Sequence, residues 1–142
     1  MLKKLIFNKE TEKVYCVDTE GKQYAEFPIS FNFWAPHTPI ANGEYSISNN
    51  NEWEIDYGRY VGNAYGTFWV ALDRNSSKGF HGYGNGRTLT SGTYGCIRGN
   101  NEDGNQICRA IDKAIKAGVE VTAEVVGNVN EDKFCIGGGG SQ

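Results

Sequence analysis

Apolar and polar residues alternate along much of the first half of the chain. Within Lys13–Asp18, for example, Val14 and Cys16 fall on the same face of an extended segment. A two-residue period bounded by turn residues such as Glu20-Gly21 is typical of short β-strands joined by tight turns. The pattern predicts a meander of strands at Lys3–Asn8, Lys13–Asp18, Gln23–Ile29, Glu44–Ser48 and Trp53–Tyr57.

Two later segments extend the series of predicted strands. Phe68–Leu72 is a continuous apolar run, which is typical of a strand that is buried on both faces. Val119–Val126 alternates again and predicts a closing strand.

The segment Asn101–Gly118 has helical periodicity instead. Its apolar residues recur at the spacing that forms one stripe along an α-helix. Asn100 or Asn101, followed by acidic residues, predicts the N-terminal cap, and Gly118 predicts the C-terminal stop. The stripe consists of Ile107, Ala110, Ile111, Ala114 and Ile115.

These elements predict a mainly β domain, a sandwich or barrel with one amphipathic helix. A length of 142 residues fits a single domain. The 19 Gly, 8 Tyr, 7 Phe and only 3 Pro also favour a turn-rich and strand-rich globule. We assign residues 1–127 to the domain and residues 128–142 to a polar, Gly-rich tail.

Charge excludes several classes of partner. The net charge is −3 and no block of like charges occurs, so a nucleic-acid surface or a polybasic membrane patch has no support.

No apolar run approaches the ~20 residues that span a bilayer. The opening MLKKLIFNKE is too polar for a signal peptide. We therefore expect a chain that acts where it is made, is exported by another route or has lost a leader.

The 4 cysteines do not predict a metal or redox site, because none of them forms a CxxC pair. Zinc requires three or four ligands, and the chain has only 2 histidines. We expect no metal and no cofactor. Cys16 and Cys108 are interpreted as small buried apolar residues, which is the usual place of a free cysteine.

Candidate chemistry is concentrated between Gly79 and Asn100. Cys96 follows a glycine, and His81 precedes it at a predicted strand end, so the two could form a thiolate nucleophile and its base. The small Gly95 would let backbone N–H groups approach the sulfur, as an oxyanion hole requires. The other histidine, His37, lies in a Pro-flanked segment and is interpreted as solvated.

Consecutive segments resemble the landmarks of the L,D-transpeptidases of the YkuD-like type. The family signature is a His-Gly, a spacer, and Ser/Thr-x-Gly-Cys followed by Arg or Asn. Tyr94 stands where many members carry His, and the spacer between His81 and Cys96 is on the short side. The resemblance extends from about Leu5 to Val126. The matching segments are Ile40–Ile47, Phe68–Leu72, Gly79–Gly82 and Thr93–Arg98.

The resemblance implies roles for individual residues. Cys96 would attack an amide carbonyl, and His81 would accept its proton and later return one to the leaving amine. The backbone carbonyl of Gly82 would fix the tautomer of His81. The implied oxyanion hole consists of the N–H groups of Tyr94, Gly95 and Cys96.

The implied substrate contacts come from Arg98, Thr93 and Tyr83. Arg98 has two interpretations of equal weight. Its planar fork suits a substrate carboxylate, or it pairs with the backbone beneath the nucleophile. Arg87, Trp34 and Trp69 are further cleft candidates, although aromatic core is the simpler interpretation of both tryptophans.

By resemblance, the substrate is a peptidoglycan tetrapeptide stem that is cut between its third residue and a terminal D-alanine, and the site of action is the cell wall or periplasm. The acyl-enzyme would pass to an amine, as in an L,D-transpeptidase, or to water, as in an L,D-carboxypeptidase. A short Gly-rich spacer favours water, and the lack of a signal peptide favours a delivered effector with an immunity or delivery protein as partner. Two alternatives stay open: a non-catalytic peptidoglycan-binding module and an unrelated cysteine peptidase.

Overall fold

The computed structural model describes residues 1–47, 55–57 and 64–129. The part of the chain described in this way contains β-strands and one long α-helix. In chain order they are β1 (Leu2–Asn8), β2 (Lys13–Asp18), β3 (Gln23–Ser30), β4 (Gly43–Ser46), β5 (Ile55–Tyr57), β6 (Phe68–Asp73), β7 (Lys78–His81), β8 (Ile97–Gly99), α1 (Asn101–Lys116) and β9 (Thr122–Val126). Within these same ranges, no helix is long and apolar enough to cross a membrane.

The strands form one sheet of nine strands in the order β4-β9-β1-β2-β3-β8-β7-β6-β5. β1 pairs in parallel with β9, and β7 pairs in parallel with β8. The sheet curls on itself, because the ring of Phe7 in β1 lies 5.0 Å from that of Phe80 in β7, although the two strands are not neighbours. β4, at one edge, also contacts β6 near the other edge. The fold is therefore mainly β and barrel-like with one helix, as the sequence predicts.

The alternating strands place their apolar residues in one core. Leu5 and Phe7 of β1 are fully buried, as is Val14 of β2. β6 buries three consecutive residues from Val70 to Leu72, which confirms the interpretation of its apolar run as a strand covered on both faces.

The helix packs its apolar stripe against this core. Ile107, Ile111 and Ala114 are buried, and Ala110 and Ile115 pack beside them. Gly118 has φ +82° and its N–H bonds to the carbonyl of Ile115, so it ends the helix as predicted.

The helix N-terminus differs in detail from the prediction. Asn100 is the N-cap residue, but its side chain makes no capping hydrogen bond. Its Oδ1 instead accepts a hydrogen bond of 2.9 Å from the hydroxyl of Tyr83. A contact to the loop after β7 has replaced the local cap.

Two predicted strands are longer than the observed ones. The segment predicted as Val119–Val126 begins only at Thr122, because the N–H of Val119 still bonds to the carbonyl of Ala114 at the helix end. β4 ends at Ser46. Ser48, Trp53 and residues 130–142 of the predicted tail lie outside the described residues, so the domain boundary stays a prediction.

Candidate active site

Two parallel strands bring the predicted nucleophile and base to one place. β7 ends at His81, and β8 begins at Ile97, directly after Cys96. The register pairs Phe80 with Ile97 and His81 with Arg98. Cys96 is 1% exposed and His81 is 0% exposed, so the structure buries both residues of the pair at this junction.

The hydrogen bond of His81 defines its tautomer. Its Nδ1 lies 2.8 Å from the carbonyl oxygen of Gly82. Because a carbonyl only accepts, Nδ1 carries the proton and Nε2 has the free lone pair. Nε2 is buried and has no hydrogen-bond partner within the described ranges. This is the geometry that the role implied for Gly82 requires.

The pKa of His81 is lowered to about 3. Burial is the main cause, the positive charge of Arg98 adds to it, and the hydrogen bond to Gly82 opposes it. The imidazole is therefore neutral at neutral pH, and it can accept a proton at Nε2.

Aromatic rings fix the plane of the imidazole. The ring of Trp69 stacks on His81 at a centroid distance of 5.9 Å, and the ring of Tyr65 meets it edge-on at 4.9 Å. Trp69 belongs to β6 and lies directly opposite His81 in the sheet. It is half-buried against the candidate base, so it is part of the site's wall.

Gly82 accepts two hydrogen bonds and has no room for a side chain. Besides His81, the Nε of Arg98 donates to its carbonyl over 3.1 Å. A Cβ on Gly82 would lie 1.9 Å from Oδ1 of Asn101. The close approach of the helix N-terminus therefore requires glycine at this position.

Arg98 is fully buried, and its guanidinium binds backbone carbonyls. In addition to Gly82, it donates to Ser91, to Gly92 over 3.3 Å and to Ala64 over 3.2 Å. These bonds favour the structural alternative for Arg98 over contact with a substrate carboxylate.

Arg98 keeps its positive charge near Cys96, the candidate nucleophile. Burial, followed by the nearby Arg87, lowers the pKa of Arg98 to about 10, so the side chain stays protonated at neutral pH. The charge of Cys96 opposes this shift.

Thr93 shapes the turn of residues 93–96, which carries the candidate nucleophile Cys96 and is called the nucleophile turn. Its hydroxyl donates to the carbonyl of Cys96 over 2.9 Å and accepts from the N–H of Gly95 over 3.0 Å. The side chain predicted to bind substrate thus lies buried inside the turn. The N–H of Gly95, which the resemblance assigns to the oxyanion hole, is therefore bonded within the turn.

Gly95 has φ +115°, in the region that favours glycine. A Cβ there would lie 2.2 Å from the carbonyl oxygen of Thr38. The glycine therefore permits the close approach of another backbone segment to the nucleophile turn, a contact that the sequence did not reveal.

Residues 33–40, which include Thr38, run across the nucleophile turn, and we call this segment the strap. The N–H of Trp34 donates to Thr93 over 2.9 Å, and the N–H of Ile40 donates to Gly95 over 3.0 Å. His37 is exposed, as predicted, but its ring stacks on Tyr94 at 4.3 Å.

Asn101 joins the helix to the loop after His81. Its Nδ2 donates to the carbonyl of Tyr83 over 2.8 Å, and its Oδ1 accepts from the N–H groups of Tyr83 and Thr67. Tyr83 and Arg87 line a cleft of about 310 Å³ beside these bonds. The sequence identified Asn101 only as a possible helix cap.

Two further cysteines, Cys16 and Cys108, belong to the hydrophobic core. Within the described residues neither forms a disulfide, and burial raises the pKa of Cys16 to about 11. Among the residues that the structure describes, no group of three or more His, Cys, Asp or Glu could hold a metal ion. Cys135 lies outside the described residues.

No family model matches the sequence, and no curated protein matches it. Solved structures do match. An L,D-transpeptidase from Stackebrandtia nassauensis has a TM-score of 0.63 at 15% identity, over 91% of this chain and 57% of that one. L,D-transpeptidase 1 of Mycobacterium tuberculosis has a TM-score of 0.55 at 16% identity, over 87% and 60%.

The domain has the L,D-transpeptidase fold. The helical cell shape determining protein Pgp2 of Campylobacter jejuni shares it, with a TM-score of 0.60 at 16% identity over 91% of this chain and 49% of that one. The chain thus spans about half of these structures, from 49% to 60% of their length. The YkuD-like resemblance seen in the sequence is matched by the fold.

Proposed function

We propose that this L,D-transpeptidase fold carries a cysteine acyltransferase that acts on the tetrapeptide stems of peptidoglycan. The observation that supports the proposal most directly is the neutral, buried His81, whose Nε2 has no partner in the described part of the chain. A buried polar atom without a partner is costly to maintain. If His81 is the base that accepts the proton of the Cys96 thiol, its Nε2 must be unoccupied before the reaction.

In the first half-reaction, His81 Nε2 accepts the proton of the Cys96 thiol, and the thiolate attacks the carbonyl carbon of the third stem residue. The N–H groups of Tyr94 and Cys96 are the proposed donors to the oxyanion. His81 then protonates the leaving amine of the terminal residue, which leaves a thioester on Cys96.

In the second half-reaction, an acceptor attacks the thioester while His81 accepts its proton. An amine gives a new cross-link or an exchanged stem, and water gives a shortened stem. The short spacer after Gly82 favours water as the acceptor. Action in another cell's envelope, with an immunity or delivery protein as partner, stays a prediction from the sequence.

Mass spectrometry of the intact protein with a disaccharide-tetrapeptide tests the proposal. We expect the wild-type protein to gain the mass of the acyl tripeptide and to release the terminal amino acid. Cys96→Ala should show no adduct and lose at least about 10³-fold in turnover. Cys16→Ser serves as the matched control, because its thiol is buried away from the site, and it should keep the activity.

Two outcomes would contradict the proposal. Turnover retained by a folded Cys96→Ala variant would exclude Cys96 as the nucleophile. Stem binding without release of the terminal residue, equal in the wild type and Cys96→Ala, would instead indicate a non-catalytic binding module.

A further inference from the structure

A lysine contacts the nucleophile turn from the side of the strap. Lys78 opens β7, and its Nζ lies 3.0 Å, and its Cε 2.5 Å, from the position that a Cβ would take on Gly95. Gly95 directly precedes Cys96. The ammonium group of Lys78 therefore lies beside the residue that directly precedes the proposed nucleophile in the sequence.

The positive charge of Lys78 also acts on a second lysine, Lys9. Lys9 follows β1 and is only 8% exposed. Its pKa is lowered by burial and, in addition, by the positive charge of Lys78. Mutual repulsion of this kind requires the two ammonium groups to be near each other.

Neither lysine has an acidic partner within residues 1–47, 55–57 and 64–129. The ion pairs found there join Lys4, Lys13 and Lys116 to carboxylates. The chain has 17 acidic and 14 basic residues, so a shortage of acidic residues does not explain why these two lysines lack such a partner in those ranges. Two neighbouring cations, one of them mostly buried, are stabilised when an anion binds between them.

We propose that Lys78 and Lys9 bind the free terminal carboxylate of the stem peptide whose preceding amide bond is attacked by Cys96. This inference rests on the proposed function. In such a substrate, the carboxylate carbon is joined to the leaving nitrogen through a single Cα, with bonds of about 1.46 and 1.52 Å. The carboxylate must therefore lie near the nucleophile turn, where the ammonium of Lys78 lies.

Arg98 does not serve this purpose, because its guanidinium is bonded to backbone carbonyls and fully buried. Lys78 is half-buried and can be reached from outside. The lysine pair would restrict the reaction to a terminal residue, since an internal residue of a peptide offers an amide in place of the carboxylate.

Paired substrates test the inference through activity. A tetrapeptide with a free terminal carboxylate is compared with the same tetrapeptide ending in a carboxamide. We expect the wild-type protein to prefer the acid by at least about tenfold in kcat/KM, mainly through KM. Lys78→Met should bring the ratio close to unity, and Lys78→Arg should keep much of it. Lys22→Met, an exposed lysine in the β2–β3 turn, is the control and should keep the wild-type ratio.

A binding measurement separates this inference from the proposed function. The Cys96→Ala variant is titrated with N-acetyl-D-alanine or with N-acetyl-D-alaninamide, and the NMR signals of the lysine ε-methylene groups are followed. The signals of Lys78 and Lys9, assigned with the Lys→Met variants, should move with the acid and not with the amide.

The two failures are distinguishable. The carboxylate site is wrong if the stem acylates the wild-type Cys96 but the acid moves neither lysine signal. It is also wrong if Lys78→Met keeps the acid preference. In both cases the proposed acyltransferase activity stands. If the acid moves both signals but no acylation occurs, the carboxylate site remains and the acyltransferase is wrong.

Discussion

The two halves of the sheet are built from different chemistry. In one half, the neighbouring strands β9, β1 and β2 bury apolar residues in alternation, for example Leu5, Phe7 and Val14. The other half contains the short strands β7 and β8, which carry the fully buried polar residues His81 and Arg98. Thr93, in the turn before β8, is 1% exposed.

The difference shows how the fold accommodates a reactive site. In the apolar half, the backbone hydrogen bonds between strands and the packing of their side chains stabilise the same elements. In the polar half, side chains bond to backbone groups of distant segments, as Arg98 does to Ala64 and Asn101 does to Tyr83. Each such residue therefore supports both the stability and the geometry of the site.

The largest effect that we expect comes from Arg98→Met in the polar half. The substitution removes the Arg98 donor from the carbonyls of Ser91, Gly92 and Ala64, and Gly82 keeps only the hydrogen bond from His81. We expect a loss of about 4 kcal/mol in the free energy of unfolding, and little activity in the molecules that remain folded. Urea denaturation and stem turnover measure the two effects.

Arg109→Met is the matched control, because Arg109 is exposed on α1. It should change the stability by less than about 0.5 kcal/mol. An Arg98→Met variant as stable as the wild type would show that the carbonyls find other donors and that the polar half does not depend on this residue.

Leu5→Ala tests the apolar half. Leu5 is fully buried in β1, so its truncation should cost about 3 kcal/mol in the free energy of unfolding. Because Leu5 makes no polar contact with the site, kcat per folded molecule should stay at the wild-type value. A kcat that falls together with the stability would mean that the two halves are not separable.

A smaller effect concerns pH. The pKa of His81 is about 3 in the folded chain and about 6.5 in the unfolded chain. Between these values the unfolded chain binds a proton that the folded chain does not, so the stability contributed at high pH is lost as the pH falls. We expect this group to remove about 2 kcal/mol between about pH 7 and pH 5.

His81→Gln removes the titrating group while all carboxylates stay the same. Urea denaturation of both proteins at the two pH values should give a smaller pH dependence for the variant. Equal pH dependence in both proteins would mean that His81 is not buried in its neutral form.

Much of the fold is readable from local sequence patterns. Alternation in Lys13–Asp18 gives β2 at its observed bounds, and the stripe through Ile111 gives the buried face of α1. The His81-Gly82 dipeptide is also local, and its expected hydrogen bond is present. In each case the deciding interactions join residues that are near each other in the chain.

The contacts around the site were not readable in this way. The strap reaches Gly95 through Thr38, and Oδ1 of Asn101 accepts a hydrogen bond from the N–H of Thr67. The charge of Lys78 acts on Lys9, which is distant from it in the sequence. Such pairs become neighbours only when the sheet closes, and no periodicity in one segment encodes them.

The parallel pairing of β1 with β9 has a consequence for synthesis of the chain. Leu5 in β1 pairs with Ala123 in β9, so nearly the whole domain must leave the ribosome before this ladder can form. Sheets closed by contacts between distant residues fold slowly. A nascent chain that stops short of Thr122 leaves one side of β1 unpaired, and in that interval the apolar residues of β1 are exposed to chaperones and to other nascent chains.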